Sequence, residues 1–155
     1  MNNLTEKVKN AYQISLYIHL GIMASLLIYI VLVEVFGMKL SPYKDNTSYL
    51  SSLRYIFYGI TIVVIFTIRR INSLFKLKPI TGKIEKNINR MLRISVITSL
   101  SCEIPALLGL VYFLAKGIKK DFYYLVILSG VLLLLYFPRY TRWRPLAERG
   151  EQIED

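Results

Sequence analysis

The chain is poor in the residues that most site chemistry needs. Its 155 residues include one cysteine, one histidine, one tryptophan, eight glycines and only 10 acidic residues against 20 basic ones. Each shortage excludes something. Cys102 has no intrachain partner, so a disulfide framework is excluded. One cysteine and one histidine cannot make a structural zinc site. A single histidine cannot hold a haem on both of its faces. The G-x-S-x-G and H-E-x-x-H patterns and the phosphate-binding glycine loops are all missing. Enzymatic chemistry is therefore not expected, and neither is a cofactor or a metal. Disorder is excluded by the opposite quantity, a hydrophobic fraction of 54%.

What is present is apolar sequence in long runs. The mean hydropathy of +0.43 is too high for an ordinary soluble domain, and a net charge of +10 is too basic for a chain buried in lipid throughout. Both fit a small membrane protein whose charges are confined to loops. A lipid-spanning helix needs roughly 20 mostly apolar residues, and four segments qualify or nearly qualify: about 14–36, 49–68, 94–115 and 122–137. The fourth has sixteen residues, which reach only ~24 Å as a helix. Flanking tyrosines and Arg139 have to complete that crossing. No segment shows the polar stripe of a surface helix, and none alternates as a barrel strand does. The expected fold is all-α, a polytopic four-helix membrane bundle forming a single domain over 1–155. The first span is expected to remain as a signal-anchor, because no A-x-A-like cleavage site follows it.

Basic residues set the orientation. With the N-terminus inside, fourteen Lys and Arg fall on the inner side and six on the outer side. The excess places both termini in the cytoplasm. Most of it lies in the loop 69–93 and the tail 138–155. Pro79 and Gly82 break the loop. Beyond them Ile84, Ile88, Met91 and Leu92 share one helical face, while Lys83, Lys86 and Arg90 share another. That pattern predicts a helix on the cytoplasmic surface or one running straight into the third span. Arg69, Arg70, Lys83, Lys86, Arg90, Arg139 and Arg142 are expected to meet anionic lipid headgroups, each contributing on the order of 1 kcal/mol. Docking of an acidic partner subunit is the sharper alternative. Nucleic acid is not an expected partner, since no recognition motif occurs and this side of a membrane protein is basic anyway. In the tail, Tyr140 and Trp143 are expected at headgroup level.

Charge inside a span is costly, so each ionisable residue there is a candidate for function. Glu103 is tenth of the 22 residues in its span, ~14 Å along the helix and near the midplane. Pro105 cannot donate to the carbonyl of Ser101, which is left for another partner. Ser95, Ser99, Cys102, Ala106 and Gly109 form a small-residue stripe that lets another backbone approach. Two roles are open to Glu103: a hydrogen-bonded packing residue, or a proton or cation site with His19 and Ser99. His19 lies at a similar depth and could pair with Glu103 in a pH-sensitive element. It could equally bond a backbone or hydroxyl group, with Tyr12 and Ser15 nearby in sequence. Glu34 and Arg54 fall at the outer end of the first hairpin and are expected to form a structural ion pair.

The run Glu103 to Val111, EIPALLGLV, resembles the carboxylate-bearing helix of rotary ATPase proteolipid (c) subunits. That resemblance implies an oligomer in which Glu103 carries a translocated proton or sodium ion. A longer resemblance joins that run to the D-F-Y of Asp121 to Tyr123 and the F-P-R-Y-x-x-W of Phe137 to Trp143. It is similar to a family of uncharacterised bacterial four-span membrane proteins, which implies the fold and a multi-pass place in the bacterial cytoplasmic membrane. The expected role is a non-enzymatic accessory or assembly component of a membrane complex, bound to other subunits or to copies of itself. The alternative is an oligomeric proton or cation conductor using Glu103.

Overall fold

A computed structural model describes residues 2–37, 48–75 and 84–144. They form four α-helices: α1 (Asn2–Gly37), α2 (Ser48–Phe75), α3 (Ile84–Lys116) and α4 (Lys119–Leu135), followed by a 3-10 turn at Tyr140–Arg142. The fold is all-α among the described residues. Three of the helices are long and apolar enough to cross a membrane, over Glu6–Gly37, Arg54–Ser73 and Lys86–Lys116. The fourth, with 17 residues, reaches only ~26 Å against a hydrocarbon core of ~30 Å.

The helices overrun the apolar segments that the sequence marks. The 36 residues of α1 and the 33 of α3 reach ~54 Å and ~50 Å. Much of the basic loop is thereby helical. Arg69 to Phe75 extend α2, and the pattern after Gly82 runs straight into α3 rather than lying apart from it.

The α3 helix is the hub. It packs against α1, α2 and α4, and α4 also packs against α1. Side-chain pairs along the α1–α3 contact keep a nearly constant sequence offset. Ser15 meets Ser95 and His19 meets Ser99, both 80 residues apart. A constant offset means that the two helices run parallel in fixed register, each advancing four residues per step.

The α3–α4 contact is close at Cys102 and Gly109 of the small-residue stripe. Ser99, Cys102, Ala106 and Gly109 are all buried, and Ser129 of α4 donates to the Cys102 carbonyl. A Cβ on Gly109 would stand 3.1 Å from Leu125 Cβ and 3.3 Å from Phe122 backbone atoms. The connection between these helices is short. Gly117 takes a left-handed conformation, φ 71°, and donates to the Phe113 carbonyl at 2.6 Å, closing α3 as glycine does at a helix end.

Two apolar clusters hold the bundle. The larger joins Ile22, Leu26 and Val33 to Ile68, Cys102, Ala106, Phe113, Phe122 and Leu133. The smaller sits at the other end, where Trp143 meets Val8, Ala11 and Ile88, with Tyr12, Met91 and Leu92 around it. Trp143 is 2% exposed, so it is a core residue and not the interfacial anchor expected from sequence. Its large ring fills the space between the overrunning ends of α1 and α3, a better burial than a headgroup layer offers. Outward-facing Leu27, Ile28, Val31, Tyr55, Val63, Phe66, Val111, Leu114, Ile127 and Leu134 leave all four helices coated with exposed apolar side chains.

Candidate functional site

Polar side chains inside this apolar body are few, and one group of them lines a seam between α1 and α3. On α1, Ser15, His19, Ser25 and Tyr29 all turn toward α3, where Ser95, Ser99 and Glu103 occupy successive turns of one face. Polar groups in apolar surroundings have to satisfy each other.

Glu103 is at the end of this seam away from Ser15 and Ser95. The hydroxyl oxygens of Ser25 and Tyr29 both stand against its Oε1, each at 2.6 Å. Ser25 Oγ also stands 2.7 Å from the Ile22 carbonyl oxygen. The carboxyl group lies between the buried stripe and the outward row of Leu100 and Leu107, and is half-buried. Both hydroxyl partners come from α1, 78 and 74 residues earlier.

His19 does not pair with Glu103. Its ring is fully buried, with Nδ1 2.8 Å from Ser99 Oγ and Nε2 3.0 Å from the Leu133 carbonyl oxygen. A carbonyl only accepts, so Nε2 carries the proton. Leu133 belongs to the last turn of α4, where carbonyls lack helical donors. The amide of Phe137, which would have served it, turns to Leu134 at 3.5 Å, and that of Tyr136 serves Leu132 at 3.0 Å. His19 therefore closes the end of α4 from another helix. Phe137 packs edge-on against the imidazole, with ring centroids 5.2 Å apart. Ser99 is drawn to His19 and not to Glu103, one turn away from the site in which the sequence grouped all three.

The expected Glu34–Arg54 ion pair is not what forms. Glu34 pairs with Lys119 at 2.7 Å and accepts from the Tyr123 hydroxyl. Arg54 pairs with Asp121 at 2.9 Å, and Tyr58 donates to the same carboxylate at 3.1 Å. The cause is the first turn of α4. Lys119 and Tyr123 are four residues apart on one face, turned to α1, whereas Asp121 lies on the opposite face, turned to α2. Each end of the first hairpin meets an opposite charge on α4 before it meets the other. Asp121 is 4% exposed and is the functional-looking carboxylate that reading by apolar spans missed. It lies just outside the fourth span, where a flanking acid is unremarkable. Its signal was the KKDFYY spacing, which puts a cation and a phenol on one face and the acid on the other.

The basic residues named for lipid contact divide by position. Arg69, Arg70, Lys86, Arg90 and Arg139 are exposed, all at the end of the bundle that carries Trp143. Lys83 lies outside the described residues, and Arg142 contributes its backbone to the 3-10 turn. At the other end a shallow apolar cleft of about 90 Å³ lies between α1 and α3, lined by Leu32, Phe36, Leu110, Phe113 and Leu114. That is far below the volume of small-molecule sites, roughly 300–1,000 Å³.

Compared with known proteins, the chain matches no family model, no curated protein and no solved structure.

Proposed function

We propose that the chain is an integral protein of the bacterial inner membrane, crossing it four times with both termini cytoplasmic. Its role is that of a non-enzymatic accessory or assembly component of a membrane complex. One observation carries this proposal: Glu34, Arg54 and His19 are each spent on another helix of the same chain. A chain that uses its costly intramembrane polar groups to fix its own helices is built as a rigid part. The apolar coat of all four helices suits lipid or neighbouring subunits. The exposed arginines and lysines at the Trp143 end suit anionic headgroups and an acidic partner. The resemblance to bacterial four-span proteins points the same way.

The test is purification in mild detergent with identification of what co-purifies. A stoichiometric partner with an acidic cytoplasmic surface, lost when Arg69, Arg70, Lys86 and Arg90 are neutralised, is the expected result. A chain that purifies alone as a monomer from its native membrane contradicts the proposal.

A second function is favoured by Glu103 alone. Its carboxyl group is half-buried beside the outward row of α3 and is held only by hydroxyl groups, without a cation of its own among the described contacts. This suits an oligomeric conductor of protons or cations. Glu103→Gln keeps the shape and removes the titration. If Gln supports full activity in cells and Leu does not, conduction through Glu103 is ruled out.

A further inference from the structure

The protons around Glu103 can be counted. Ser25 Oγ stands 2.6 Å from Glu103 Oε1 and 2.7 Å from the Ile22 carbonyl oxygen, and Tyr29 Oη stands 2.6 Å from the same Oε1. All three separations are O–H···O hydrogen-bond distances, so each needs a proton between its oxygens. A hydroxyl supplies one proton, and a carbonyl or an ionised carboxylate supplies none. Two hydroxyls therefore serve three contacts. With Glu103 ionised, Ser25 has one proton for two contacts. Either one contact sets two lone-pair oxygens against each other, or a shared proton makes two bent, weakened bonds, and both arrangements are costly in apolar surroundings.

A carboxylic acid at Glu103 closes the count. Its Oε1–H donates to Ser25 Oγ, Ser25 donates to the Ile22 carbonyl, and Tyr29 donates to Oε1. A metal ion fits the cluster poorly. Oxygens that ligate one ion at about 2.3–2.6 Å stand about 3.3–3.7 Å apart at right angles and about 2.7–3.1 Å apart around a pentagonal plane, so all three contacts sit at or below the tightest of these spacings. Among the described residues no neighbour supplies the missing proton. On α1, both ring nitrogens of His19 are engaged by Ser99 and Leu133. Glu34, further out, is engaged by Lys119 and Tyr123 of α4. On α3 itself, Cys102 is buried on the side that meets α4.

We propose that Glu103, Ser25, Tyr29 and the Ile22 carbonyl form an intramembrane proton-binding site, in which Glu103 is held as the neutral acid and Ser25 accepts its proton. This deepens the second function above, on whose site it rests, by naming the ligand as a proton rather than a metal cation.

The test is the side-chain carboxyl carbon resonance of Glu103, in protein labelled with 13C at that carbon of glutamate and held in micelles at neutral pH. Glu103 is identified as the resonance lost in Glu103→Gln or, if that variant does not fold, in Glu103→Ala. The expected resonance is that of a carboxylic acid, and Ser25→Ala shifts it toward carboxylate, because the acid loses its acceptor. A carboxylate resonance in the unaltered protein overturns the proposal. So does a Ser25→Ala protein in which Glu103 stays fully acid, since burial alone would then hold the proton. A carboxylate result leaves conduction of metal cations standing, and the comparison of Gln with Leu in cells decides that separately.

Discussion

The Nε2 of His19 in α1 reaches the carbonyl oxygen of Leu133, 114 residues later, at 3.0 Å. One imidazole thus fastens the first helix to the last turn of the fourth and, through Ser99, to the third. Helix ends in apolar surroundings need such partners, because their last carbonyls have no helical donor and no water.

Replacing His19 by Ala leaves both the Leu133 carbonyl and the Ser99 hydroxyl without this partner. The expected loss is about 1–3 kcal/mol for each buried group left unsatisfied, read as a fall in Tm in detergent. His19→Gln can still donate to Leu133 and is expected to recover part of the loss. A Gln variant no better than Ala would mean that packing against Phe137 is the main contribution.

The two ion pairs at the start of α4 differ in burial, and their strengths should differ with it. The Asp121 side chain is 6% exposed, whereas Glu34 is 46% exposed. Unpairing a buried carboxylate is far more damaging than unpairing one at the surface. Double-mutant cycles on thermal unfolding should therefore give a larger coupling for Arg54–Asp121 than for Lys119–Glu34. Equal couplings would show that α4 is held evenly from both sides.

Gly109 and Gly130 make a matched contrast. A Cβ on Gly109 meets the backbone of Phe122, which cannot rotate away, while a Cβ on Gly130 meets nothing within 4 Å. Gly109→Ala is expected to destabilise by about 1–3 kcal/mol, as overpacking does. Gly130→Ala is expected to be neutral or to stabilise by up to ~1 kcal/mol through helix propensity. Parallel melts of the two variants measure the difference.

Thr98 carries a buried hydroxyl without a hydrogen-bond partner among the described residues. Thr61 and Thr67, by contrast, donate back to Phe57 and Val63 in their own helix. Thr98→Val removes the orphan and keeps the shape, so Tm should hold or rise. The gain expected is on the order of 1 kcal/mol. A fall in Tm would reveal a bound water or a partner subunit at that hydroxyl.

The helices themselves were legible in the chain, because an apolar run has a length and a helix has a fixed rise. Ile88, Met91 and Leu92 also announced their shared face correctly. Pairings across helices were not legible. Periodicity states which residues share a face but not which neighbour that face meets. Glu34 and Arg54 looked matched because the sequence joins their helices directly, yet α4 returns beside both of them. The burial of Trp143 was hidden for a related reason. Nothing in FPRYTRW shows that α1 and α3 extend far enough beyond the apolar runs to enclose it.

The most direct measurement uses the buried Cys102 as a silent background. Lys9 and Lys120 are both exposed, near the start of α1 and at the start of α4 respectively. Cysteines are placed at them singly, as Lys9→Cys and Lys120→Cys, and intact cells are treated with a membrane-impermeant maleimide. Four crossings with cytoplasmic termini predict labelling of Lys120→Cys in intact cells and of Lys9→Cys only after lysis. Labelling of both positions from outside, or of Lys9→Cys alone, would contradict it.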